Sequence, residues 1–184
     1  MRGLMILANG FEDTEALATH DVLQRSKLAI DLVTINDNKE VISQYNLHLV
    51  LAKTLKDINY NDYEFLVIPG GGAVSKVLAK TPEIKVVIAD FVKREKLVAT
   101  ICAAPSLLAD EGYFIGEKFT CFPGCETASK GGKYMGNKGV VVSNKFITGK
   151  SMAYSLEFGL AIIKYLQGKD QMLVIKKAMY GEKK

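Results

Sequence analysis

The hydrophobic positions of the chain fall into two kinds of run: short continuous blocks, and longer segments with apolar residues at helical spacing. Gly3 to Ala8 (GLMILA), Ala29 to Ile35 (AIDLVTI), Phe65 to Ile68 (FLVI) and Leu97 to Ile101 (LVATI) are blocks of strand length. Near-continuous hydrophobicity over so few residues is the pattern of central parallel strands covered on both faces. The segments Glu12 to about Lys27, Val74 to Ala79, Pro82 to Lys93, Ser151 to Leu166 and Gln171 to Met179 read as helices. The Pro82 segment places Ile84, Val87, Ile88, Phe91 and Val92 on one face. Asn36 to Lys39 reads as a polar turn, Glu40 to Leu51 as a hairpin or edge excursion, and Leu55 to Tyr63 as a polar connection. Lys118 to Phe122 predicts a short strand and Gly124 to Gly139 a glycine-rich surface segment. Val140 to Val142 and Phe146 to Thr148 predict two more strands around a Ser143-Asn144-Lys145 turn. Alternating strands and helices argue for an α/β fold with a mainly parallel sheet and helices on both faces. No repeat, linker or low-complexity tract interrupts the chain, so residues 1–184 are expected to form a single domain.

The chemistry gathers where strands end. Lys96 to Gly112 (KLVATICAAPSLLADEG) reads as strand, sharp turn and helix, with Cys102 on the turn, Pro105 at the first helical turn and Gly112 closing the helix. A thiol held there points out of the strand end, and helix N–H groups facing it are expected to lower its pKa. A buried structural cysteine is the alternative reading of the same residues. Glu15 stands one turn into the first helix, near the end of the first strand, on the edge where open parallel sheets bind ligands. Glu12 and Asp13 suit the helix macrodipole. Pro69 leads into Gly70, Gly71 and Gly72, which permit positive φ and could offer N–H groups to an oxyanion. No Lys-Ser/Thr pair follows at P-loop spacing, which argues against nucleotide binding. A thiolate working on a carbonyl needs a proton partner and an anion pocket. Glu15 can be the first and the glycine loop the second. His20 and His48, the only histidines, are expected in structural or surface roles. Cys121 and Cys125 flank Phe-Pro-Gly with no further metal ligands nearby and read as two ordinary thiols, or one as an auxiliary redox cysteine.

Composition narrows the classes. Of 184 residues, 48% are hydrophobic and 24% charged, enough for a full core. The formal net charge of +4 is small and its lysines are scattered, with Lys176, Lys177, Lys183 and Lys184 read as a solvated tail, so no nucleic-acid partner is expected. No apolar run reaches membrane-spanning length and no signal-peptide pattern is present. Three cysteines form no disulfide framework, and a cytoplasmic location is expected.

Taken in order, GFEDTEA after a strand, FLVIPGGG, VATICAAPSLLA, FTCFPGCE and LEFGLAII resemble the DJ-one/ThiJ/PfpI superfamily over nearly the whole chain, closest to its Parkinson-associated and bacterial ThiJ-like branch. The resemblance implies a flavodoxin-like sandwich of the class I glutamine amidotransferase-like type, usually a homodimer, working without a cofactor or metal. It implies Cys102 as nucleophile on a strained elbow, Glu15 as a protonated carboxyl bonded to its sulfur, and the N–H groups of Gly71 and Ala103 as the anion pocket, beside Gly70 and Gly72. The implied activity is glyoxalase III-type or deglycase action on small reactive carbonyls or glycated protein side chains. The alternative is a redox sensor or chaperone working through oxidation of Cys102. Ala103 replaces the histidine of peptidase-like members, which argues against proteolysis. Phe122 stands where the human-type branch has histidine, leaving Glu15 alone as acid–base. Lys150, Ser151, Met152, Ala153 and Tyr154 replace an Arg-Gly-Pro-Gly-Thr stretch, so substrate contacts from that loop differ.

Overall fold

A computed structural model describes residues 1–127 and 129–182; Lys183 and Lys184 of the basic tail, and Ala128 of the glycine-rich segment, lie outside the described residues. The chain begins with β1 (Arg2–Leu7), α1 (Asp13–Arg25), β2 (Ala29–Thr34), a hairpin of β3 (Glu40–Ile42) and β4 (His48–Val50), and β5 (Lys53–Thr54). It continues through β6 (Phe65–Ile68), α2 (Ala73–Lys76), α3 (Pro82–Lys93), β7 (Leu97–Ile101) and α4 (Pro105–Asp110). It closes with β8 (Lys118–Phe119), β9 (Lys133–Tyr134), β10 (Val140–Ser143), β11 (Phe146–Gly149), α5 (Ser155–Gln167) and α6 (Lys169–Met179).

Seven strands form one sheet in the order β10-β11-β7-β6-β1-β2-β5. All neighbours are parallel except the β10–β11 pair at one edge. The four central strands are the continuous apolar blocks; every residue of β6 and β7 is buried, as is β1 after Arg2. Close packing is literal at Gly3, where an added Cβ would fall 2.1 Å from the Phe65 ring on the neighbouring strand. From β1 to β2 the chain steps one way across the sheet, and from β6 to β7 it steps the other way. Right-handed crossovers therefore put α1 and α3 on opposite faces. The result is the flavodoxin-like layered fold expected from the alternation. The step reverses between β1 and β6, which opens a crevice at the carboxyl ends of the central strands.

Several boundaries differ from the expectation. The Lys118 to Phe122 strand stops at Phe119, because the Thr120 N–H turns to the Thr148 hydroxyl (2.9 Å) and the Phe122 N–H to the Cys102 carbonyl (2.8 Å). The glycine-rich segment contributes β9, which pairs with β8. Lys53 and Thr54 form an edge strand beside β2 that the polar pattern did not show. The expected Ser151 to Leu166 helix begins at Ser155, since Ser151 is extended (φ −165°) and 152–154 form a single 3-10 turn. The Val74 to Ala79 helix is a short α2 followed by a 3-10 turn over 78–80.

Candidate active site

Each connection at the crevice is built by its local sequence. After β1, Gly10 turns the chain with φ +87° and Glu12 caps α1, its Oε2 accepting the Glu15 N–H at 2.7 Å. The cap sets the first helical turn, which carries Glu15 inward until it is 1% exposed. Its Oε2 accepts the Gly70 N–H at 2.8 Å, and its fully buried Oε1 has no partner of hydrogen-bond geometry among the described residues. After β7, Cys102 adopts φ +64°, a left-handed conformation that costs a non-glycine residue about 1–2 kcal/mol. The surroundings enforce it: the Cys102 N–H donates to Gly149 at 2.9 Å, and its carbonyl accepts from Phe122. The thiol is half-buried and lies against the Glu15 carboxyl, while the Gly71 and Ala103 N–H groups point at the sulfur.

The glycine loop is divided by function. Gly71, with φ +91°, leaves no room for a side chain: a Cβ there would sit 2.4 Å from the Gly10 carbonyl. The Gly70 N–H is taken by Glu15, and the Gly72 N–H donates to Gln44 Oε1 at 2.7 Å. Of the four residues expected here, Gly71 and Ala103 turn their N–H groups to the sulfur, whereas the Gly70 N–H holds the acid and the Gly72 N–H holds the wall. A Cβ on Gly70 would meet Cys102 Cβ at 2.6 Å and Glu15 Oε2 at 2.7 Å, so glycine is what allows acid and thiol to close on each other.

The electrostatics also correct an expectation. Burial raises the Glu15 carboxyl from 4.5 to about 7, against the hydrogen bonds from Cys102 and Gly70 that favour its charge. Burial also pushes the Cys102 thiol up, and the neighbouring carboxylate adds to it; the two N–H groups at sulfur pull the other way and lose. The lowered thiol pKa expected from a helix N-terminus is therefore absent in the resting pair, and α4, six residues long, is too short to supply it. Two buried negative charges exclude each other, so past neutrality the pair shares one proton and one charge. Moving that proton from sulfur to Glu15 creates the thiolate where Gly71 and Ala103 receive it.

These groups open into a cleft of about 330 Å³, whose walls include Gln44, Tyr45, Phe122, Ser151 and Met152. Gln44 and Tyr45 come from the turn of the β3–β4 hairpin, a segment whose pattern predicted a hairpin or edge excursion but not a wall of the cleft. Asp13 draws that turn in, accepting the Ser43 hydroxyl at 2.5 Å and the Tyr45 N–H at 3.3 Å. His48 is exposed on β4; His20 lines a separate depression with Asp31 and Leu51, its pKa lowered by burial. Neither histidine lines the cleft. Cys121 is buried, its thiol pushed up to about 12 by desolvation, and Cys125 is half-buried. No cluster of three His, Cys, Asp or Glu side chains with metal-binding geometry occurs among the described residues.

A cysteine at positive φ on the strand-to-helix turn of a flavodoxin-like sheet, with a buried carboxyl behind the thiol, defines the class. The chain belongs to the DJ-1/PfpI family, whose model matches residues 1–165. It is similar to glutathione-independent glyoxalase DJR-1.2 of Caenorhabditis elegans, 32% identical over 162 residues that cover 87% of this chain and 85% of that protein. Protein DJ-1 homolog B of Arabidopsis thaliana is 29% identical over 176 residues; the match covers 95% of this chain, which spans only 40% of that protein's length. The crystal structure of Drosophila melanogaster DJ-1beta superposes with a TM-score of 0.89 at 25% identity, covering 97% of both chains. Among the described residues no helix is long and apolar enough to cross a membrane.

Proposed function

We propose that this protein is a cysteine-dependent enzyme that converts small α-oxoaldehydes, methylglyoxal being the simplest, into 2-hydroxy acids, or releases them from glycated protein side chains. The observation that carries the reading is the Cys102 thiol held at positive φ against a buried carboxyl whose second oxygen is unpartnered. Glu15 takes the thiol proton as sulfur adds to the aldehyde carbon, and the hemithioacetal oxygen receives a proton in turn. Glu15 carboxylate then removes the hydrogen from that carbon, giving an enediolate, and returns it to the adjacent carbon while the proton of the first hydroxyl passes to the second oxygen. The first carbon is oxidised to a thioester and the second reduced to an alcohol, so no external oxidant or reductant enters. Water cleaves the thioester, releasing the hydroxy acid and restoring the thiol. Gly71 and Ala103 N–H groups stabilise negative charge developing at the reacting atoms. The naming of a similar worm protein as a glutathione-independent glyoxalase supports the substrate class.

The reading includes a cytoplasmic homodimer of one domain per chain, with no cofactor, nucleic acid or membrane partner. Exposed Leu17 on α1 and Leu47 and Val50 on the hairpin favour a second copy docking there. The test is lactate formation from methylglyoxal by wild type, Cys102→Ala and Glu15→Ala. Turnover by wild type alone, with all three folded, supports the enzyme; an inert wild type refutes it. A second reading, a redox sensor or chaperone without turnover, draws on the same unpartnered Glu15 Oε1. Protonated, it would donate to a Cys102 sulfinate oxygen formed by peroxide. An inert wild type that gains two oxygens at Cys102 alone would favour this second reading.

A further inference from the structure

The cleft around Cys102 is apolar at its mouth and carries charge of one sign. Phe122 and Met152, 48% and 46% exposed, are large apolar side chains left uncovered in its lining, together with Tyr45. Among the described residues no lysine, arginine or histidine lines the space, and its only ionisable side chains besides Cys102 and Tyr45 are Glu12 and Glu15. Lys76 Nζ lies 3.6 Å from where a Cβ on Gly72 would sit, and Lys76 is not among the lining residues. Glu12 is 7% exposed and fixed by the Glu15 N–H, so a carboxylate arriving next to Cys102 would face like charge with no counterion in the lining. Phe122 is anchored to the reacting residue itself, since its N–H donates to the Cys102 carbonyl. At about 330 Å³ the cleft reaches the lower end of the ~300–1,000 Å³ of ordinary ligand pockets, far more than a three-carbon oxoaldehyde fills.

We propose that the cleft selects carbonyl compounds bearing an uncharged alkyl or aryl group, with Phe122 and Met152 as the specificity-determining residues. This rests on the carbonyl-enzyme reading for its biological sense, but the selectivity is a property of access to Cys102 and can be read without turnover. The aldehyde carbon sits at sulfur with its oxygen toward Gly71 and Ala103, and the substituent lies across Phe122 and Met152. Burying an aryl group there removes its surface and that of two exposed side chains from water. An anionic substituent in the same place gains no ion pair and meets Glu12.

Two measurements test this. In the first, Cys102 is alkylated with 2-bromoacetophenone, iodoacetamide or iodoacetate, sulfur displacing halide in each case. Adducts are followed by peptide mass, and rates are divided by those for glutathione under the same conditions. The normalised rate for the aryl reagent is expected to exceed that for iodoacetate by at least about tenfold. In the Phe122→Ala, Met152→Ala double variant that ratio should fall severalfold. A wild-type ratio near one, or a ratio unchanged in the double variant, overturns the proposal. In the second, kcat/KM for phenylglyoxal is expected to exceed that for methylglyoxal, chiefly through KM, and to lose that advantage in the double variant. Equal values for the two substrates in wild type also overturn it. If neither substrate turns over while the alkylation ratio and its loss hold, the enzyme reading fails and the selectivity stands.

Discussion

A carboxyl raised by burial makes folding stability depend on pH in a direction opposite to that of a salt-bridged acid. Glu15 sits at about 7 in the folded protein, against 4.5 for an ordinary glutamate. Below 4.5 it is protonated in both states and costs nothing. Between 4.5 and 7 the unfolded chain has released this proton and the folded one still holds it, so stability falls as pH rises. Above 7 the loss is complete. A shift of this size corresponds to about 3 kcal/mol, at roughly 1.4 kcal/mol per pH unit. For a chain of this length that is on the order of 10 °C in Tm. Glu15→Gln removes the titration while its side-chain oxygen can still accept the Gly70 N–H. Thermal or urea unfolding of wild type and Glu15→Gln from pH 4.5 to 8 should therefore give a difference that grows with pH, the variant becoming the more stable protein. Cys102→Ala should keep the wild-type slope, because desolvation of Glu15 and not the thiol is the main cause of the shift. A difference that does not change with pH, or a slope that disappears in Cys102→Ala, would refute the assignment.

Three further outcomes follow from the backbone and its packing. Cys102→Gly should be more stable than Cys102→Ala by about 1 kcal/mol in urea unfolding, since both lose the thiol but only glycine is relieved at φ +64°. Gly71→Ala should lose at least ~1–3 kcal/mol and slow Cys102 alkylation, because the new Cβ would lie 2.4 Å from the Gly10 carbonyl and must displace the N–H facing sulfur. Gly3→Ala should cost about 1–3 kcal/mol by driving a methyl into the Phe65 ring, and a Phe65→Leu background should recover part of it; a neutral Gly3→Ala would mean that β1 and β6 can part without cost.

What could be read from the residues was what local pattern encodes. The continuous blocks of β1, β2, β6 and β7 are legible because strands covered on both faces need apolar residues at every position. The Cys102 elbow and Glu15 are legible because they stand next to such blocks, where an open sheet exposes its carboxyl ends. β5 was invisible, since two residues carry no periodicity and Lys53 is polar; only its pairing with Val33 and Thr34 makes it a strand. The wall of Gln44 and Tyr45 was equally hidden, being delivered by Asp13 bonds to residues some thirty positions away. The deepest gap lies within Gly70-Gly71-Gly72, three identical letters with three different jobs. One N–H holds the acid, one faces the sulfur and one holds the wall, and composition cannot rank them. The same limit applies to the thiol: a turn before a helix suggests a lowered pKa, whereas the outcome depends first on how deeply the thiol itself is buried and then on a carboxyl distant in sequence. Depth of burial is a property of the assembled crevice, and it turns a strand-end cysteine and a first-turn glutamate into a pair that must share a proton.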